Sequence, residues 1–355
     1  MNAIRSVIDL DDADGLIAAD RDGLLRAAST AGAHVRAIAA SIDEGALESL
    51  AGPLPRTVIW AAGRGTAGTA GRMVSALLGR IVGAPIMVAS GTPPWIGPLD
   101  VVVVAGDDPG DPALAATASM AARRGARLLL VAPFEGPLGD AAAGRAAVLE
   151  PRLPLADAFG LTRYLAAGLA ALAAVDDAVR VDIAALADDV DAEVLRSSAG
   201  REVLTNPAKA LAGRMDGRRV VLAADSAAAL ALAHHGSAVL LRVAGTVAAA
   251  AGLADVVVAL RDGIPGAVTD PVDSLFHDEQ LDGPLPQRLR VLALTLNDER
   301  QVVAARTAGL GDVDLVGAED IADPGGVGIG GADAQLAVLA VRLEMAAVYL
   351  RLIRG

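Results

Sequence analysis

Thr57-Val-Ile-Trp-Ala-Ala-Gly-Arg-Gly-Thr-Ala-Gly68 decides the fold. A β-branched and aromatic run breaks into a glycine-rich turn and passes into an Ala-rich stretch, the plan of a strand that feeds a helix across a parallel sheet. Short apolar runs recur at residues 85–89, 100–105 and 127–132. Residues 66–79 and 112–124 predict the intervening helices, the second closed by Arg123, Arg124 and Gly125 as a helix C-terminus should be. Residues 20–52 predict an amphipathic helical lead-in. Arg219-Val-Val-Leu-Ala-Ala-Asp225 repeats the plan of strand, tight turn and Ala-rich helix, and candidate strands follow at residues 238–243, 256–260, 289–296 and 312–316. Strands alternating with helices predict an α/β protein with two doubly wound parallel sheets. The expected divisions are an N-terminal domain over residues 1–175, an acidic helical linker over 176–200 and a C-terminal domain over 201–355. Residues 161–175 and 333–353 predict apolar helices, the last packing back on the body.

A chain of 355 residues has room for two domains of ordinary size. It has no cysteine, which removes disulfide, thiolate and Cys-ligated metal chemistry together. A formal net charge of -13 repels phosphate backbones and anionic lipid surfaces, so nucleic acid is not an expected partner. Mean hydropathy of +0.48 raises the membrane question. The longest uncharged stretch, residues 81–99, carries Pro85, Pro93, Pro94 and Pro98 and cannot be one spanning helix. Asp9, Asp11, Asp12 and Asp14 follow Met1 closely, without the basic-then-apolar layout of a signal peptide. The expectation is a cytoplasmic protein with no membrane partner.

In open parallel sheets ligands bind beyond the carboxyl ends of strands, where helix N-termini favour anions. Two loops answer to that description. In Gly63-Arg-Gly-Thr-Ala-Gly68 the glycines Gly63 and Gly65 let the backbone approach a ligand, Arg64 supplies a cation and Thr66 a hydroxyl. Gly63, Gly65 and Gly68 match the spacing of a dinucleotide fingerprint, but no acidic residue closes a second strand about 20 residues on. A tight strand-to-helix turn without any ligand accounts for the same residues. The second loop, Gly106-Asp-Asp-Pro-Gly-Asp-Pro112, places Asp107, Asp108, Gly110 and Asp111 at a helix mouth, where carboxylates cap well and repel a phosphate. Arg152, between Pro151 and Pro154, is placed rigidly enough to reach across the sheet ends. Asn206 and Pro207 predict a helix start, with Lys209, the only lysine, as a structural residue. His234 and His235 are adjacent, and their side chains diverge by about 100° on a helix, so no metal is expected there. His277 stands among acidic residues in a loop-like stretch and is a candidate to carry a proton.

Taken in order along the chain, these segments resemble the sugar isomerase (SIS) superfamily, and within it the bifunctional phosphoglucose/phosphomannose isomerases. Residues 62–68 resemble the family's Gly-Gly-Ser turn. Gly91-Thr-Pro-Pro-Trp-Ile-Gly-Pro-Leu-Asp-Val101 resembles the segment entering the third strand, Pro151-Arg152 its Pro-Arg element, and Asn206-Pro-Ala-Lys-Ala-Leu-Ala212 the opening of its second domain. The resemblance implies two SIS-type doubly wound (flavodoxin-like) domains in tandem, a homodimer, a sugar phosphate as ligand and no cofactor. It implies Arg152 as the catalytic arginine and Thr66 in place of a phosphate-binding serine; with the two loops, the expected substrate-binding residues are Gly63, Arg64, Gly65, Thr66, Asp108 and Gly110.

The chain departs from that pattern at three places. Asp107, Asp108 and Asp111 stand where the family has a hydroxyl-rich phosphate loop. Residues 237–261, where the family places a glutamate and a histidine for proton transfer, contain neither, and Asp255 is their only carboxylate. The C-terminal segment reads Asp333-Ala-Gln335 where relatives have a lysine. Two expectations follow: a glucose or mannose 6-phosphate isomerase whose base has moved to Asp255, His234, His235 or His277, or a catalytically inactive sugar-phosphate binder that regulates carbohydrate metabolism or joins a partner enzyme. The second explains the altered phosphate loop and the missing base together.

Overall fold

A helical lead-in of α1 (Ala13–Ala19), α2 (Leu24–Ser29) and α3 (Ala31–Asp43) precedes the first sheet in the computed structural model, which describes residues 8–263, 288–320 and 329–355. The sheet and its helices are β1 (Thr57–Ala62), α4 (Thr66–Leu78), β2 (Ile86–Ala89), β3 (Asp100–Ala105), α5 (Pro112–Arg124), β4 (Arg127–Val131), α6 (Gly136–Ala142) and β5 (Ala146–Val148). Next come α7 (Leu161–Val175), α8 (Ile183–Arg196) and α9 (Pro207–Met215). The second series is β6 (Arg219–Ala224), α10 (Ala227–Ala244), β7 (Ala248–Gly252), α11 (Leu253–Asp262), β8 (Leu289–Leu294), α12 (Arg300–Thr307), β9 (Val313–Val316) and α13 (Ala332–Arg354).

Among the described residues all strand pairings are parallel, in the orders β2-β1-β3-β4-β5 and β7-β6-β8-β9. The first is the flavodoxin-like order, with its switch point between β1 and β3. The second repeats it strand for strand as far as it goes. Residues 57–63 and 219–225, compared in the sequence, occupy equivalent places, and the helices that follow them, α4 and α10, pack on one another.

Local chemistry explains the element ends. Asp111 caps α5 by accepting from Ala113 N (2.8 Å) and Leu114 N (3.3 Å), Pro112 takes the first helical position, and Gly125 closes the helix at φ 72°. Asn206 caps α9 through Lys209 N at 2.9 Å. Lys209 Nζ donates to the carbonyls of Ala199 (2.7 Å) and Arg201 (2.8 Å), which accounts for its burial. In β1, Trp60 lies under α4, donating Nε1–H to Ala67 O at 2.9 Å. Glycine is needed above it: a Cβ on Gly71 would stand 2.3 Å from the indole, and one on Gly168 of α7 would stand 3.0 Å from it.

Three expectations are corrected. Residues 238–243 and 256–260 are not strands but parts of α10 and α11, because short apolar runs fit a buried helix face as well as a strand. The strand beside β6 is instead β7, four alanines and a glycine, which lacks the β-branched residues that mark strands. The acidic segment before residue 200 contains a helix, as expected, but not one solvated all round. Ile183, Leu186, Ala187, Val190 and Glu193 form its buried stripe against α3 and α13, while Asp188 and Asp191 face outward to Arg36. Helix α10 is long and apolar enough to cross a bilayer by length and composition alone; here its apolar residues pack against α4, α13, β6 and β7.

Buried polar groups join the layers. Glu193 accepts from Arg342 Nε at 2.8 Å, and Arg342 donates to the carbonyls of Gly317 (2.6 Å) and Ala318 (2.7 Å) beyond β9. His235 and Glu344 meet at 2.8 Å between α10 and α13, and burial pushes the Glu344 carboxyl up. His34 in α3 is buried with Nε2 unpartnered, and burial, then the charge of Arg163, pulls its pKa below the ordinary 6.5. Below that value the unfolded chain takes up a proton that the native imidazole refuses, so stability falls as pH descends from about 6.5. Urea unfolding at about pH 5.5 and 7.5 is expected to show a smaller loss for His34→Leu than for wild type; equal losses would assign the acid sensitivity elsewhere.

Candidate active site

The carboxyl ends of β1 and β3 diverge into a cleft of about 450 Å³, lined by Gly63, Arg64, Gly65, Gly106, Asp107, Asp108, Asp111, Leu114, Asp157 and Arg242. Gly63 N–H donates to Ala105 O (3.0 Å) and Gly106 N–H to Val131 O (3.2 Å), so each loop leaves the sheet in register with the neighbouring strand. Leu114 seals the base and requires a glycine above it, since a Cβ on Gly106 would stand 2.6 Å from its methyl.

One wall is cationic. Gly65, at φ 78°, turns the chain into α4, whose N-terminus has no side-chain cap, so its first-turn amides are unspent. Arg64 is exposed beside them and makes no ion pair or hydrogen bond among the described residues. The opposite wall is acidic, and most of its carboxylates are engaged: Asp111 caps α5, Asp108 accepts from Gly110 N (2.8 Å), and Asp157 lies 3.9 Å from Arg242 of α10. Asp107 accepts a hydrogen bond from Tyr164 Oη. Burial pushes the Asp107 carboxyl up, with the negative charge of Asp157 adding to it, against the lowering effects of Tyr164, Arg163 and Arg242. Burial likewise drives the Tyr164 phenol far above its ordinary range, so it stays a donor. Arg163 stands 5.2 Å over the Tyr164 ring and donates to Leu149 O at 2.6 Å, which fixes the start of α7. A larger cavity, about 610 Å³, lies at the amino ends of β6 and β8 beside Arg218, Arg219 and Arg354, away from the helix N-termini that favour anions.

No family model matches the chain, and no curated protein matches it. Solved structures do. The C-terminal domain of glucosamine-fructose-6-phosphate aminotransferase from Francisella tularensis superposes with a TM-score of 0.62 at 10% identity, covering 95% of this chain and 98% of that one. Tagatose-6-phosphate ketose/aldose isomerase from Escherichia coli gives 0.60 at 14% identity, covering 94% and 93%. A glucose-6-phosphate isomerase like protein from Thermus thermophilus gives 0.52 at 20% identity, covering 98% and 96%. The chain has the tandem SIS fold.

Within that SIS fold, the residues singled out in the sequence are only partly assembled. Gly63, Arg64, Gly65 and Asp108 line the cleft, and Gly110 shapes its rim through Asp108. Thr66 is buried, with Oγ1 unpartnered and 3.1 Å from where a Cβ on Gly160 would sit, so its hydroxyl faces the protein. Arg152 is not brought to the cleft. Its guanidinium binds both oxygens of Glu44 at the end of α3, which holds it away. The expected proton carriers are also elsewhere: His235 is spent on Glu344, His234 is exposed on α10, Asp255 is exposed on α11, and His277 lies outside the described residues. Gln335 accepts from Asn297 N at 2.9 Å. Sequence reasoning missed Asp157, Tyr164 and Arg242, which come from distant segments. The only signal was the placement of Tyr164 at the start of an apolar helix, which gives no hint of Asp107.

Proposed function

We propose that this protein binds a sugar phosphate in the cleft between β1 and β3, the phosphate against Arg64 and the first-turn amides of α4, the sugar hydroxyls on Asp107, Asp108 and Asp157. The observation that carries the reading is the pairing of an arginine without a partner among the described residues with an uncapped helix N-terminus at the switch point of the sheet. The carboxylates opposite suit the other end of such a ligand, since hydroxyl groups donate strongly to ionised acids. Their negative field is tempered where it would oppose the phosphate most, because Arg242 stands by Asp157 and Asp111 is turned into its helix cap. Sugar phosphates named for the superposing structures support the ligand class.

Thermal unfolding with fructose 6-phosphate, fructose and inorganic phosphate tests it. A ligand at a hundredfold its Kd stabilises by about 2.7 kcal/mol. Fructose 6-phosphate is expected to raise the melting temperature more than either fragment, and Arg64→Ala is expected to weaken the response about tenfold in concentration, the worth of roughly 1.4 kcal/mol. An equal response to fructose, or an unaltered one in Arg64→Ala, overturns the placement of the phosphate.

A further inference from the structure

Among the carboxylates of the cleft, Asp107 differs in how it is held. One oxygen accepts from Tyr164 Oη, while the second accepts no hydrogen bond among the described residues and is not sealed from solvent. Asp108 and Asp111 each give one oxygen to backbone amides of their own loop and Asp157 stands by a guanidinium, so Asp107 alone of the four is held by a side-chain hydroxyl from another element. We propose that Asp107 is the proton-transfer group of the cleft and Tyr164 its positioning residue, an inference that rests on the sugar-phosphate reading and makes the site catalytic. The loop after β3 thereby supplies the base that residues 237–261 lack.

The step is a hydrogen shift without net redox change. Asp107 takes the proton from the carbon next to the carbonyl of an aldose phosphate. The electrons of that C–H bond form the carbon–carbon double bond of an enediolate, and the carbonyl oxygen takes the negative charge near Arg242. The neighbouring hydroxyl proton passes to that oxygen, and Asp107 returns its own proton to the former carbonyl carbon, giving the ketose. Tyr164 aims the carboxylate through its hydrogen bond. Charged groups facing Asp107 from the surrounding elements are Arg64, Asp108, Asp111, Asp157, Arg163 and Arg242. Its raised pKa brings it closer to working pH, which favours such a role.

The test is exchange of a C1 proton of fructose 6-phosphate for deuterium in D₂O, followed by proton NMR, with tagatose 6-phosphate as a second probe. Wild type is expected to exchange, and Asp107→Asn to slow exchange by about 10²–10⁴-fold. Asparagine can still accept from Tyr164, so the variant keeps its fold; because Asp107 also meets a sugar hydroxyl, its exchange rate is read at saturating sugar phosphate. Tyr164→Phe removes a bond that lowers the Asp107 pKa, so the acid limb of its pH–rate profile moves to higher pH. Exchange at the wild-type rate in Asp107→Asn overturns the proposal. So does binding of both probes by wild type without exchange, which leaves the binding reading intact. Absence of any thermal response to either probe removes the binding reading and this proposal with it.

Discussion

Arg342→Ala is expected to lower the unfolding free energy by about 3–5 kcal/mol, the cost of leaving a buried charge without its partner. Glu193 is fully buried on α8 and Arg342 nearly so on α13. The guanidinium satisfies the carboxylate and, at the same time, the carbonyls of Gly317 and Ala318 beyond β9. Removing it strands these acceptors. Arg196 and Ser197 also reach Glu193, at 3.1 Å and 3.3 Å, and so soften the loss without replacing the contacts to the loop. Urea midpoints of Arg342→Ala and of the double variant Glu193→Leu/Arg342→Met measure it. The double variant is expected to recover much of the loss, because a well-packed apolar pair costs little where an ion pair is buried. A midpoint for Arg342→Ala within error of wild type would show that the pair contributes nothing.

Trp60→Ala is expected to cost about 3–5 kcal/mol, the range for deleting a large buried aromatic. The indole fills the space between β1, Gly71 of α4 and Gly168 of α7, so nothing nearby can close the cavity without moving a helix. Its Nε1–H also binds Ala67 O in the first turn of α4, the turn that follows the cleft residues Gly63, Arg64 and Gly65. The variant should therefore lose stability and, at a temperature where it remains folded, respond more weakly to fructose 6-phosphate. Trp60→Phe keeps most of the packing but not the hydrogen bond, and separates the two effects. Full retention of stability in Trp60→Ala, read from its urea midpoint, would contradict this packing.

How far the amino-acid sequence reaches depends on what each element is made of. Strands β1, β3 and β4 are written in valine, isoleucine and leucine and can be read directly, as can the caps Asp111-Pro112 and Asn206-Pro207. Strand β7 is four alanines and a glycine, a composition shared with the helices around it, and only its pairing with β6 makes it a strand. The charges on α8 suggest a solvated helix because they mark its outer face; its inner face is seen only once α3 and α13 are in place. The cleft divides in the same way. Gly63, Arg64, Gly65 and Asp108 belong to loops that announce themselves by glycine and proline. Asp157, Tyr164 and Arg242 enter from the loop before α7, from α7 and from α10, and their meeting is a property of tertiary packing. The prolines flanking Arg152 make it rigid, but rigidity does not aim a side chain toward the sheet ends, and Glu44 supplies the partner that turns it elsewhere.

Diffraction from crystals grown with fructose 6-phosphate tests the cleft most directly. Phosphate density is expected beside Arg64, about 3 Å from the amides of Thr66 and Ala67. Phosphate density confined to the cavity of Arg218, Arg219 and Arg354 would contradict it.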